Sequence, residues 1–71
     1  MNVYKFYSGK HFYGYCGETE EEAKNQLFED FGEMMVSKTE EILESDWDKK
    51  EIEVYMGNYP QLVFTNDQSI Y

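Results

Sequence analysis

The chain has 71 residues, with fifteen Asp and Glu against six Lys, no Arg, and a formal net charge of −9. This length provides one small domain, and this charge disfavours direct binding to DNA, RNA or anionic lipid, which proteins contact through Lys and Arg. No apolar run approaches the ~18 residues of a membrane span. Cys16 is the single cysteine, so an internal disulfide is excluded and a reducing cytoplasm is expected.

The first predicted element is a β-hairpin, with strands at 3–7 and 11–16 on either side of Ser8-Gly9. Two registers of strand pairing in this hairpin are compatible with the sequence. A two-residue loop would place on one face Tyr4, Phe6, His11, Tyr13 and Tyr15. A three-residue loop with a bulge would instead group Tyr4, Phe6, Phe12, Gly14 and Cys16. We favour the second register, because it buries Phe12 and Cys16 and leaves Lys5, His11 and Tyr13 outside.

A helix is predicted next, starting at the capping box formed by Thr19 and Glu22. Its buried stripe has helical spacing and comprises Ala23, Leu27, Phe31 and Met34, flanked by Phe28 and Met35. Gly32 interrupts the stripe, which indicates either the end of the helix or a kink.

In the second half of the chain, a short helix is predicted at about 38–47, and the spacing of Ser37 and Glu40 indicates a cap at its start. The alternative is a single long helix that bends at Gly32. Alternation in EIEVYM then predicts a strand at 51–56. A last strand is predicted at about 61–65, after Pro60, which favours either an edge strand or the start of a strand. A flexible tail is expected at 66–71. The predicted fold is a single α+β domain over 1–71, with helices on one face of an antiparallel sheet and the order ββααββ.

Candidate catalytic and metal-binding groups are few. His11 and Cys16 cannot supply the four ligands of a structural zinc site, and five residues apart in one strand they face opposite sides. The chain also lacks a glycine loop that could cradle phosphate. We therefore expect no enzyme activity, no metal and no cofactor.

The acidic residues are the main candidate for a functional surface. Extending the helical spacing from Leu27 places four carboxylates opposite the buried stripe: Glu18, Glu22, Glu29 and Glu33. The second predicted helix and the residues after it add Glu40, Glu44, Asp46 and Asp48. The pairs Glu18–Glu22 and Glu29–Glu33 would be like-charged neighbours one turn apart, which destabilises a helix. That cost favours a surface read by a partner, while solubility alone is the alternative explanation.

The acidic runs ETEEEAKNQLFEDFGE and EEILESDWDKKEIE cover about half of the chain, and a chain of this kind resembles the small anti-CRISPR and anti-restriction inhibitors of bacteriophages and mobile elements. The resemblance is one of type rather than of motif. It implies a cytoplasmic protein of the bacterial host cell that mimics DNA, with carboxylates occupying a basic groove of a nucleic-acid-binding enzyme or complex. Exposed aromatic anchors would then be Tyr7, Tyr13 and Tyr15. The alternative is an accessory protein that forms a homodimer through its aromatic hairpin.

Overall fold

The β1–β2 hairpin forms the centre of the sheet in the computed structural model, which describes residues 2–46 and 57–70. The strands are β1 Asn2–Ser8, β2 His11–Gly17, β3 Lys38–Ile42 and β4 Leu62–Thr65, and the helix is α1 Glu20–Phe31. Two short 3₁₀ turns occupy Glu44–Asp46 and Gln68–Ile70. The four strands are antiparallel in the order β3-β1-β2-β4, which confirms an α+β fold.

The hairpin register differs from the one that we favoured. Tyr4 pairs with Tyr15 and Ser8 pairs with His11, so the loop has two residues, Gly9 and Lys10. Gly9 adopts a φ of 61°, a conformation that glycine reaches without steric cost and that two-residue hairpin loops require. The expectation that Tyr13 faces outward is therefore wrong, because this register turns it towards α1 with Tyr4, Phe6 and Tyr15.

The predicted start of α1 is confirmed, and of the two alternatives at Gly32 the structure has the end of the helix. The Glu22 amide donates to Oγ1 of Thr19 at 3.1 Å, which satisfies one of the free amides at the start of the helix. Gly32 then has a φ of 86°, and its amide donates to the Phe28 carbonyl at 2.8 Å. Since few other residues adopt that φ at low cost, the helix ends here and does not bend into a longer one.

The predicted helix at 38–47 is wrong. Residues 38–42 form β3, which pairs antiparallel with β1 and satisfies the edge of β1 opposite β2. Ser37 does not cap a helix, since its amide donates to the Tyr7 carbonyl at 2.8 Å. The order of the described elements is therefore ββαββ, with one helix in residues 2–46 and 57–70, where we expected ββααββ.

The predicted last strand is confirmed as β4, which lies at one edge of the four-strand sheet after Pro60. The predicted strand at 51–56 lies outside the described residues. Residues 66–70, where we expected a flexible tail, hydrogen-bond to β2 and place Ile70 against the core.

The two faces of the sheet bury different clusters. The helix-covered face packs against α1 and contains these buried residues: Tyr4, Phe6, Tyr13, Tyr15, Ala23, Leu27 and Leu62. Phe28, Phe31 and Met34 pack around them as predicted, whereas Met35 is 86% exposed and does not flank the core. The second face buries Val3, Ile42 and Phe64.

Candidate functional site

The surface of α1 and its flanks carries the largest group of exposed carboxylates in the described part of the chain. We call it the acidic surface, and its members are Glu18, Glu20, Glu21, Glu22, Glu29 and Glu33. Sequence analysis identified Glu18, Glu22, Glu29 and Glu33 as partner-binding residues, and all four side chains are exposed. The structure thus leaves these predicted residues accessible to a partner.

The acidic surface is not the continuous helical stripe that we expected. Glu18 precedes the Thr19 cap and Glu33 follows Gly32, so only Glu22 and Glu29 of the predicted four lie within α1. The like-charged pairs one turn apart are therefore absent from the helix, and the repulsion that we inferred for them does not apply. Glu20, Glu21 and Glu22 lie instead in the first turn, where the helix dipole stabilises negative charge.

Cations do not neutralise this surface within residues 2–46 and 57–70. The nearest lysine in sequence is Lys24, which is half-buried with its Nζ 5.6 Å from the centre of the Phe28 ring. The ion pair formed between described residues lies elsewhere, where Lys38 Nζ is 3.6 Å from Glu40 Oε1. Within residues 2–46 and 57–70, the acidic surface therefore presents carboxylates that have no ion-pair partner.

The hairpin tyrosines have a role that sequence analysis missed, because three of them donate to carboxylates. Tyr15 donates to Asp30 at 2.7 Å, Tyr13 to Asp67 at 2.8 Å, and Tyr7 to Glu40 at 2.6 Å. Tyr15 is 0% exposed and Tyr13 is 6% exposed. Both are core residues, so the prediction that they are exposed anchors is wrong, and Tyr7 alone of the three is partly exposed.

The Tyr13–Asp67 contact shifts the protonation of both groups. Burial, followed by the hydrogen bond to Asp67 and its negative charge, raises the pKa of Tyr13 to about 12. Hydrogen bonds from Ser69 and then from Tyr13 hold the pKa of Asp67 below its usual value, with a smaller contribution from nearby His11. The neutral tyrosine and the charged carboxylate are thus the favoured forms.

The acidic residues of the second predicted helix do not extend the acidic surface as a helix would. Glu40 lies in β3 and is bound by both Tyr7 and Lys38. Glu44 and Asp46 belong to a short 3₁₀ turn, in which Asp46 is half-buried. Asp48 lies outside the described residues.

A group of lysines and aromatic rings lies at the hairpin, near the second face. Lys5 Nζ is 4.1 Å from the centre of the Phe12 ring and 4.8 Å from that of Tyr7, while Lys38 Nζ is 5.6 Å from the Tyr7 ring. Tyr7 and Phe12 are directly paired across β1 and β2. The net positive charge of residues 1–17 is the signal in the sequence that could have indicated lysines beside these rings. Lys38 could not be predicted in this way, because it reaches the Tyr7 ring only through the pairing of β3 with β1.

The residues with catalytic potential are separated. Cys16 is half-buried against the second-face cluster. His11 lies in the same strand near Asp67, and its buried Nδ1 accepts no hydrogen bond from the described residues. No group of three or more His, Cys, Asp or Glu is placed to hold a metal ion in residues 2–46 and 57–70.

Comparisons of this chain with protein-family models, with curated proteins and with solved structures gave no match. Among the described residues, the structure contains no helix with the length and apolar character needed to cross a membrane.

Proposed function

We propose that this protein is a binding module that uses its acidic surface to occupy a basic, nucleic-acid-binding groove of another protein, in the manner of anti-CRISPR or anti-restriction DNA mimics. The groove of a host defence nuclease complex is the proposed target. The module acts by occupying the groove, without a catalytic step of its own.

The observation that carries the proposal is the concentration of negative charge around α1. Residues 18–33 contain seven carboxylates against Lys24 alone, which accounts for −6 of the net charge of −9. Six of these carboxylates are exposed, and the seventh, Asp30, has both oxygens occupied by Tyr15 and Gln26. A groove lined with Lys and Arg would attract such a surface from a distance and accelerate association.

A solvated surface that serves only solubility is the competing explanation, and the first turn of α1 favours it in part. Glu20, Glu21 and Glu22 stabilise the helix itself through its dipole. Glu29 and Glu33 have no such role, because they lie at the end of the helix where the dipole favours positive charge. They are therefore the residues that best distinguish partner binding from helix stabilisation.

The test uses a basic nuclease complex as the probe and measures association by biolayer interferometry at low and high salt. We expect binding that weakens steeply with salt, since exposed charges are screened beyond ~10 Å at 0.1 M ionic strength. The Glu29→Lys, Glu33→Lys double variant should associate at least about tenfold more slowly. Binding that is indifferent to salt and to both changes would contradict the proposal.

Glu41→Lys is the matched control. Glu41 is an exposed glutamate in β3, outside residues 18–33, and its change to Lys alters the net charge by as much as the single variant Glu29→Lys, which is measured beside the double variant. If it slows association as much as Glu29→Lys does, the effect comes from total charge and not from a defined surface.

Self-association is a second candidate function, favoured by two large apolar side chains at the surface. Met35 is 86% exposed and Leu43 is 58% exposed, whereas Tyr13 and Tyr15 are buried within the chain. A homodimer would therefore use Met35 or Leu43 and not Tyr13 or Tyr15. Sedimentation of the wild type and of Met35→Ser, Leu43→Ser distinguishes the two functions, because only a homodimer dissociates when these residues become polar.

A further inference from the structure

The end of β4 is attached to β2 by side chains after its backbone pairing stops. The last backbone partner is Thr65, paired with Tyr13, and its Oγ1 also donates to the Phe12 carbonyl at 2.7 Å. The Phe12 amide then donates to Oδ1 of Asn66 at 2.8 Å, and Nδ2 of Asn66 donates to the Lys10 carbonyl at 2.9 Å. The Asn66 amide thus replaces the next backbone pair of the ladder.

Asp67 makes the second attachment. One oxygen accepts from the Tyr13 hydroxyl at 2.8 Å, and the other accepts from the Ser69 hydroxyl at 2.6 Å and from its amide at 3.1 Å. This carboxylate therefore joins the 3₁₀ turn Gln68–Ile70 to β2. The turn places Ile70 against the core of the helix-covered face.

We propose that residues 66–70 form a C-terminal strap that opens as a unit, while the sheet and α1 stay folded, when the Asp67 carboxylate loses its charge. Opening would remove Ile70 from the core and free the Tyr13 hydroxyl, so an apolar edge of the core becomes accessible. The inference is independent of the proposed binding function, because the hydrogen bonds described for the strap involve no residue of the acidic surface.

The geometry explains why the strap depends on one charge. Asp67 accepts three hydrogen bonds, and bonds to an ionised acceptor are roughly twice as strong as neutral ones. The groups that face Asp67 are Tyr13 and His11 of β2 and Ser69 of its own turn. Because the pKa of Asp67 is lowered in the closed state, closure is favoured fully above the ordinary carboxyl value of 3.8 and is lost as pH falls through the lowered value. The strap is therefore closed at neutral pH and opens in acid.

The test is hydrogen exchange and proton NMR on the full chain between pH 7 and pH 2. At neutral pH, Asp67→Ala should increase amide exchange at Phe12 by about tenfold or more, because this amide donates to Asn66 of the strap and not to Asp67 itself. Amides of β1 should keep their wild-type protection. In the wild type, the Ile70 methyl signals should shift with acid before the amides of β1 lose protection.

Two further variants make the result decisive. Asn66→Ala should also open the strap but leave its acid dependence intact, since Asp67 is unchanged. Glu22→Gln removes an exposed carboxylate in the first turn of α1, which is not among the hydrogen-bond partners described for the strap, and should change neither exchange nor acid dependence. The inference is overturned if Asp67→Ala leaves the Phe12 amide protected, or if this amide exchanges only together with β1 in every variant.

Discussion

The two faces of the central hairpin use aromatic residues in different ways. On the helix-covered face, Tyr13 and Tyr15 are buried beneath α1, and their hydroxyls reach carboxylates at the margin of the core. On the other face, Tyr7 and Phe12 are partly exposed and their rings hold lysines. Tyrosines on both faces donate their hydroxyls to acids, since Tyr7 donates to Glu40. The difference is that the half-exposed rings also have a cation close to the ring face, whereas the buried rings pack within the core. The hairpin thus draws positive charge to one side while α1 presents negative charge on the other.

The largest effect is expected on the helix-covered face. Leu27→Ala removes a fully buried side chain between α1 and the sheet and should lower the free energy of unfolding by about 2–5 kcal/mol. This loss is a large part of the total free energy of unfolding of a small domain. Urea unfolding followed by circular dichroism measures it. Met35→Ala is the control, because its side chain is 86% exposed and its loss should have little effect.

The second face should respond most to Gly14→Ala. A Cβ at this position would lie 2.4 Å from two atoms of the Phe64 ring, which is 1% exposed and has little room to move. We expect a loss of about 1–3 kcal/mol in unfolding free energy, typical of overpacking.

A double variant with Phe64→Leu tests this cause. The two changes should cost less together than the sum of their separate effects, because the smaller side chain relieves the clash. Strict additivity in urea unfolding would show that crowding by Phe64 is not the reason.

The smallest losses of unfolding free energy are expected when one tyrosine hydroxyl is removed from each face of the sheet. Tyr15→Phe leaves Asp30 without its bond from a fully buried tyrosine and should cost about 1.5 kcal/mol. Tyr7→Phe should cost less, about 0.5 kcal/mol, because water can reach the partly exposed Glu40. Thermal unfolding of both variants at pH 7 measures the difference, and a larger loss for Tyr7→Phe would reverse the comparison.

The elements that sequence analysis predicted correctly depend on local interactions. Thr19 and Gly32 act within one turn of their own helix, so its two ends can be recognised without knowing the rest of the fold. The same kind of local pattern led to the wrong prediction of a helix at 38–47, because Ser37 and Glu40 have the spacing of a helix cap. The unpaired edge of β1 selects a strand there, and that pairing joins residues more than thirty positions apart.

Only part of the candidate site was predicted, because some of its features are local in the sequence and others depend on strand pairing. The acidity and exposure of Glu18, Glu22, Glu29 and Glu33 follow from composition and from their distance to the buried stripe. The role of Tyr13 and Tyr15 depends on a hairpin register that differs by one residue from the one favoured. A one-residue change moves each side chain to the opposite face, so buried hydroxyls were interpreted as surface anchors.

The end of α1 at Gly32 has a consequence for how the acidic surface could be reproduced. Glu18 and Glu33 lie outside the helix, so their positions relative to Glu22 and Glu29 are set by the chain entering from β2 and leaving towards β3. A synthetic peptide of residues 18–33 has the same charges without those two fixed ends. A short isolated helix is also marginal in water. An inhibitor derived from this surface would therefore need the hairpin as a scaffold, since the sheet holds the carboxylates in their arrangement.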